Sequence, residues 1–264
     1  MPSPSPARMH DFTVVSNDEI AKGIFSLVIS APRLASALKP GQFVNIAVPG
    51  NAMSLLRVPL SYVRADAAAG TVEMWYAVVG DGTKRLSQME PGSTSNLLGP
   101  GGHGWLVPEQ ARRALLVAGG IGVPPILCLA EKLASAGVAF DVCVGASSAE
   151  ALVGLEGFKA AGAGDISVST DDGSLGSCGF CTDPAAAKLA EGRYDYVATC
   201  GPGVMMEKVA RAAKEAGVYC EASLERMMSC GFGACSTCNV ETEDGMKGAC
   251  MCGPVFDASK VVVF

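Results

Sequence analysis

Hydrophobic and polar positions divide the chain into three stretches. Between residues 10 and 107 the apolar positions come in short runs, at 12–15, 24–29, 43–48 and 71–79. Turn residues such as Lys39-Pro40-Gly41 and Pro49-Gly50-Asn51 separate these runs. Short strands at this spacing predict a small antiparallel barrel or sandwich. One helical segment is expected, near residues 82–89, closed by Pro91-Gly92.

From residue 108 the period changes. Ala114 to Ala118 is an unbroken apolar run, the pattern of a strand buried on both faces. A glycine turn follows, and Pro124-Pro125 opens a helix with Ile126, Leu129, Ala130 and Leu133 on one side. Further strands are expected at 138–144, 165–169 and 194–199. A helix over 204–216 should carry Met205, Val209, Ala212 and Ala216 on its inner face, with Gly217 to stop it. Alternating strands and helices predict a parallel α/β sheet. The expected organisation is a leader over 1–10, a barrel over 11–107, an α/β domain over 108–218 and a small module over 219–264. The last ends in a strand-like run at 260–264.

Composition narrows the function. Of 264 residues, 49% are hydrophobic, and 20 Lys and Arg face 26 Asp and Glu, leaving a net charge of -6. That balance, with no basic stripe, is wrong for a nucleic-acid binder. No apolar run is long enough to span a bilayer, and Met1-Pro2-Ser3-Pro4-Ser5-Pro6 has no signal-peptide pattern, so a cytoplasmic protein is expected. The 11 cysteines change the picture most, because Cys178, Cys181, Cys200, Cys220, Cys230, Cys235 and Cys238 crowd into 61 residues of sequence, with Cys250 and Cys252 close behind.

Cys230-x4-Cys235-x2-Cys238-x11-Cys250 begins with the plant-type spacing of a [2Fe-2S] cluster. Gly231 and Gly233 let backbone N–H groups approach the sulfurs. On spacing alone Cys250 and Cys252 compete for the fourth position. The alternative is a structural zinc site, although only Cys235 and Cys238 form a knuckle.

Other motifs address phosphates. Ala118-Gly119-Gly120-Ile121-Gly122-Val123-Pro124-Pro125 joins a strand to a helix but departs from G-x-G-x-x-G. Gly145-Ala146-Ser147 stands where a ribose-binding acid would end the next strand, and Asp141 lies inside that strand. Arg57-Val58-Pro59-Leu60-Ser61, expected as a loop segment after a strand, could hold a pyrophosphate. Gly80-Asp81-Gly82-Thr83 offers a second anion site, and Gly99-Pro100-Gly101-Gly102-His103-Gly104 is a third glycine-rich loop.

The order of these motifs, together with Cys200-Gly201-Pro202, resembles the ferredoxin–NADP reductase-like flavoproteins. Within them, the tail from Ser223 to Cys238 and from Cys250 to Phe256 is similar to the electron-transfer subunits of class 1B dihydroorotate dehydrogenase. The resemblance covers about residues 11–260. It implies FAD between barrel and α/β domain, with Arg57, Pro59, Leu60, Ser61, Tyr76, Ala77, Val78, Gly82 and Thr83 contacting it. NAD+ would lie over Gly120, Gly122, Cys200, Gly201 and Pro202, and Cys250 rather than Cys252 would complete the cluster. The implied partner is an FMN-containing subunit that oxidises dihydroorotate in pyrimidine biosynthesis, the pair forming a heterotetramer. This chain would then pass electrons through [2Fe-2S] and FAD to NAD+ without a catalytic acid or base of its own. Glu225, Arg226 and Met227 are candidate partner contacts.

A runner-up within the fold is a subunit exchanging electrons between NAD(P)H and ferredoxin or a sulfur-metabolising partner; in such relatives an Asp takes the first cluster position, so Cys230 favours the dihydroorotate branch. From another class, the chain could be a non-enzymatic binding module held by zinc. Preference for NAD+ over NADP+ is not legible. Cys178-Gly179-Phe180-Cys181 is unexpected for the family and reads as buried or idle thiols rather than a redox pair. His10 and His103 are expected at the surface or in loops.

Overall fold

A computed structural model describes residues 7–48 and 56–264 of the chain. The Pro49-Gly50-Asn51 turn and the first part of the leader lie outside them. The chain forms two compact units. One comprises residues up to Gly104 together with 225–240 and 246–254, and the other comprises Trp105–Leu224, 241–245 and Val255–Phe264.

The first unit is built on a seven-stranded sheet. Its strands are β1 (Arg8–Ala21), β2 (Ile24–Ser30), β3 (Phe43–Ile46), β4 (Val58–Ser61), β5 (Arg64–Asp66), β6 (Thr71–Ala77) and β7 (Thr94–Gly101). They run in the order β4-β3-β7-β1-β2-β6-β5, with every neighbouring pair antiparallel. Alternation sets the faces: Val72, Met74 and Tyr76 of β6 are buried, and the residues between them only half so. Two short helices, α1 (Pro32–Ala35) and α2 (Asp81–Leu86), interrupt the strands. The expected single helix is therefore α2, and α1 is additional. Three further corrections concern local context. Arg8, Met9 and His10 belong to β1 rather than to a leader. His10 is 8% exposed, its Nε2 3.2 Å from the Gly99 carbonyl oxygen, so it is not a surface residue. The Arg57 motif is not a loop, because Val58 to Ser61 are β4 itself, paired to β3.

The second unit holds the other seven-stranded sheet. Its strands are β8 (Arg113–Gly119), β9 (Ala139–Ala146), β10 (Ile166–Thr170), β11 (Ser177–Cys178), β12 (Tyr196–Cys200) and β13 (Tyr219–Ser223). After the hairpin β14 (Asn239–Thr242) and β15 (Gly245–Gly248), β16 (Val255–Asp257) joins its edge. The order β11-β10-β9-β8-β12-β13-β16 is parallel throughout except for β16. Ala114 to Ala118 of β8 are fully buried, as a strand covered on both faces must be. The helices are α3 (Val123–Ser135), α4 (Leu155–Ala160), α5 (Thr182–Ala190) and α6 (Gly203–Glu215); α7 (Ala249–Cys252) lies in the cysteine-rich stretch.

Three sequence readings change here. The buried stripe of α6 is Met206, Val209 and Ala213, not Met205, Val209, Ala212 and Ala216. Met206 and Ala213 are seven residues apart, two helical turns, so the stripe is equally periodic but rotated. Tyr219 to Ser223, read as the start of the tail, is a strand paired to β12, and the expected run at 260–264 is not a strand. Its one ladder contact is an isolated bridge from Val261 to Thr242.

Asp141, inside β9, is fully buried and explains its own position. Its carboxylate accepts from Tyr194 Oη at 2.7 Å, Arg113 Nη2 at 2.7 Å and the Asp165 N–H at 2.8 Å. Burial pushes this carboxyl up, but the hydrogen bonds from Tyr194 and Arg113 outweigh it and hold it below the ordinary carboxylate range. A carboxylate depressed in the folded state adds stability above its unfolded pKa of about 3.9, and that stability is lost as pH falls through the folded value. Asp141→Ala is expected to cost about 3 kcal/mol in urea denaturation at pH 7, the low end for a broken buried pair because Arg113 is 35% exposed. The difference from wild type should shrink below about pH 4.

Among the described residues, no helix is long and apolar enough to cross a membrane.

Candidate functional site

The cysteine loop belongs to the first unit. From Cys230 to Cys238 three residues have left-handed backbone: Gly231 at φ +75°, Gly233 at +88° and Ser236 at +56°. The glycines were legible as such, whereas Ser236 adopts a conformation that L side chains avoid and gave no signal. The loop is held from two sides. A Cβ on Gly231 would stand 2.4 Å from Asn45 Nδ2 of β3, and one on Gly233 would stand 2.7 Å from Cγ of Met251 in α7.

Sulfurs in the loop receive backbone donors. The Ala234 N–H donates to Cys230 Sγ at 3.3 Å, and the Cys250 N–H to Cys238 Sγ at 3.4 Å. The Cys235 thiol is exposed and pulled down to about 6, first by the Thr237 hydroxyl, then by backbone donors and the Cys230 thiol. Cys250 is 2% exposed, and its thiol is raised to about 12, by burial first and then by the neighbouring Cys238 thiol. Cys235 thus interacts with Cys230, and Cys250 with Cys238 and, more weakly, with Cys230. Among the described residues no three His, Cys, Asp or Glu side chains converge on one point. Cys252 is half-buried.

On the barrel, Arg57 Nη2 donates to Asn96 Oδ1 at 2.8 Å, and Nη1 reaches the carbonyls of Asn96 and Asn45 at 3.3 and 3.4 Å. Asn96, absent from the sequence reading, fixes this guanidinium. Pro59, Leu60 and Ser61 follow it along β4. The start of α2 sits against the same strand, since a Cβ on Gly82 would meet Val58 Cγ2 at 3.0 Å. Thr83 Oγ1 accepts from the Val79 and Gly80 N–H groups, so its hydroxyl caps the turn rather than facing outward. Tyr76 is buried with its hydroxyl donating to Asn17 Oδ1, and Ala77 and Val78 are half-buried beyond it. The Arg57 and Gly82-Thr83 motifs, separate in sequence, therefore share one neighbourhood.

In the second unit the two phosphate-type motifs meet at adjacent strand ends. A Cβ on Gly122 would lie 2.3 Å from the Cys200 carbonyl oxygen and 2.7 Å from the Gly201 nitrogen. The sheet reverses its winding at β8, between β9 and β12, which is where open α/β sheets bind ligands beyond the carboxyl ends of their strands. Gly120, Gly122, Cys200, Gly201 and Pro202 all stand there. Cys181, read from the sequence as a buried or idle thiol, is buried beneath this turn, with Sγ 3.8 Å from the Ala118 carbonyl oxygen and 3.5 Å from Met205 Sδ. Cys178 is exposed. His103 is half-buried at the end of the third glycine loop, and its N–H donates to the Gly253 carbonyl at 2.7 Å.

A half-closed antiparallel barrel carrying an Arg-x-Pro-x-Ser strand, a parallel sheet with a glycine turn at its switch point, and a four-cysteine loop define a reductase-type electron carrier. Comparison with known proteins agrees. Residues 225–262 match the iron–sulfur cluster binding domain of dihydroorotate dehydrogenase B. The chain is 38% identical over 261 residues to the NAD(+)-linked dihydroorotate dehydrogenase B electron transfer subunit of Geobacillus sp. (strain WCH70), covering 97% of this chain and 99% of that one. It is 35% identical to the corresponding subunit of Fusobacterium nucleatum over 97% of this chain and 99% of the relative. Among solved structures, an NADH-dependent reduced ferredoxin–NADP oxidoreductase superposes with a TM-score of 0.85 at 29% identity, over 99% of this chain and 91% of the other. An Amycolatopsis cytochrome P450 reductase shares the fold with a TM-score of 0.68 at 22% identity, over 81% of this chain and 67% of the other. The chain belongs to the family of dihydroorotate dehydrogenase B electron transfer subunits.

Proposed function

We propose that this chain takes electrons from an FMN-containing partner that oxidises dihydroorotate and delivers them to NAD+, with Cys230, Cys235, Cys238 and Cys250 holding a [2Fe-2S] cluster. When bound, the cluster and FAD supply one-electron and hydride chemistry that no side chain here could provide. The residues supply placement. Interacting cysteines on a loop rich in left-handed backbone match the ligand set, and the Ala234 and Cys250 N–H groups favour anionic sulfur. Arg57, fixed by Asn96, is an anchor for the flavin's pyrophosphate, with Pro59, Leu60, Ser61, Tyr76, Ala77, Val78, Gly82 and Thr83 around it. Gly120, Gly122, Cys200, Gly201 and Pro202 form the nicotinamide dinucleotide's cradle at the strand ends.

One observation carries this reading: Asn45 touches both halves of the first unit's site. Its carbonyl accepts from Arg57 while its side chain lies against Gly231 of the cysteine loop. Electron transfer requires that the two groups be close, and a single residue spans the elements assigned to them.

The experiment is co-expression with the FMN-containing subunit. A brown complex with two irons and one FAD per copy of this chain, reducing NAD+ with dihydroorotate, is the expected result. The structural likeness to a ferredoxin–NADP oxidoreductase supplies the rival: turnover only with ferredoxin would replace the dihydroorotate reading. A colourless protein with one zinc would end both.

A further inference from the structure

Asn45 also carries the next step. It is the one strongly polar residue in the apolar run of β3, it is 1% exposed, and among the described residues neither its Nδ2 nor its Oδ1 has a hydrogen-bond partner. Leaving a carboxamide buried and unpaired costs about 1–3 kcal/mol per group, so a strand does not keep one there for packing alone. Phe43 and Asn45 point to the opposite face from Val44 and Ile46, because side chains alternate along a strand. Nδ2 is the atom that meets Gly231, at 2.4 Å from where its Cβ would stand. Glycine is required at 231 by φ +75° and by this amide together.

We propose that Asn45 is a positioning and tuning residue for the cluster: its side-chain N–H donates to a sulfur at the Cys230 end of the loop and stabilises the reduced state. The proposal rests on the reading that the four cysteines hold the cluster. Sulfur ligands accept hydrogen bonds and do not donate them, so the nitrogen end already facing Gly231 is the end that fits. A donor to sulfur becomes stronger when the cluster gains negative charge, and reduction potential follows such hydrogen bonds. Because the same residue's carbonyl holds Arg57, a change here would be felt at the cluster first through the side chain, leaving the backbone contact to Arg57 in place.

The test uses Asn45→Leu, which keeps the volume without the donor, and Asn45→Ala. In the holoprotein, iron per chain, flavin per chain and the EPR-monitored midpoint are measured. The expected result is wild-type iron and flavin with reduction about tenfold less favourable, about 59 mV lower for a one-electron couple, and altered g values. Full iron loading with an unchanged midpoint and spectrum overturns the hydrogen bond. If neither variant retains iron, the wild type decides. With 15N on asparagine side chains only, pulsed EPR of the reduced cluster should show a nitrogen coupling that persists in Asn239→Asp, which removes the asparagine amide adjacent in sequence to Cys238, and its absence overturns the proposal. A wild-type protein without iron would instead sink the cluster assignment itself.

Discussion

Cys230→Ser is expected to abolish electron delivery from the partner to NAD+ while leaving the α/β unit folded. Serine at this position replaces a thiolate by a hydroxyl that stays protonated and binds iron weakly. It also removes the acceptor of the Ala234 N–H at 3.3 Å and one of the groups that lower the Cys235 thiol. With one of the interacting sulfurs gone, the loop loses the cluster rather than adjusting to it, since its left-handed residues are fixed by packing on Asn45 and Met251. Iron should fall from two per chain towards zero, and dihydroorotate-dependent NAD+ reduction by at least about 100-fold, the upper end of what even indirect ligand-shell changes cost. Direct reduction of an artificial acceptor by NADH through the flavin should survive, because it needs only Arg57, its neighbours and the strand-end cradle. Loss of both activities would show that the loop is structural for the barrel. An unchanged partner-dependent rate would remove the cluster from the electron path.

The parts of the fold that were legible share one property: a local pattern determined them. Fully apolar β8 and the glycine turn after it are read from adjacent residues, and so is the Cys230-to-Cys238 spacing. What escaped required knowing a neighbour. Val58 to Ser61 pass for loop because Pro59 breaks the strand pattern, yet proline is tolerated on β4 at the end of the sheet order. Tyr219 to Ser223 begin four residues after the last residue of helix α6 and contain Glu221, which looks like tail composition. That carboxylate is buried only because Tyr196 Oη and the Leu106 N–H bind it. His10 reads as surface until β7 supplies the Gly99 carbonyl. Asn45 had a signal in the sequence, a polar residue inside the 43–48 apolar run, but its meaning needs the loop that arrives from residue 231.

Gly122→Ala should give the second large effect, and in the other unit. The position has no positive φ, so alanine suits its backbone; the obstacle is space. The new methyl would stand 2.3 Å from the Cys200 carbonyl oxygen, 2.5 Å from its carbon and 2.7 Å from the Gly201 nitrogen. These are backbone atoms of the neighbouring strand end and cannot rotate away as a side chain would. The β8 and β12 ends must therefore separate, at a cost of about 1–3 kcal/mol for overpacking. Those strand ends are the proposed dinucleotide cradle, and 1.4 kcal/mol of distortion is already tenfold in affinity. NAD+ titrations should show Kd rising by at least about tenfold, with thermal stability lowered. Iron and flavin content should stay at wild-type levels because their residues belong to the first unit. A variant that loses flavin or iron along with NAD+ would mean that the turn supports the whole chain. One that binds NAD+ normally would place the nucleotide elsewhere than over Gly120, Gly122 and Cys200-Gly201-Pro202.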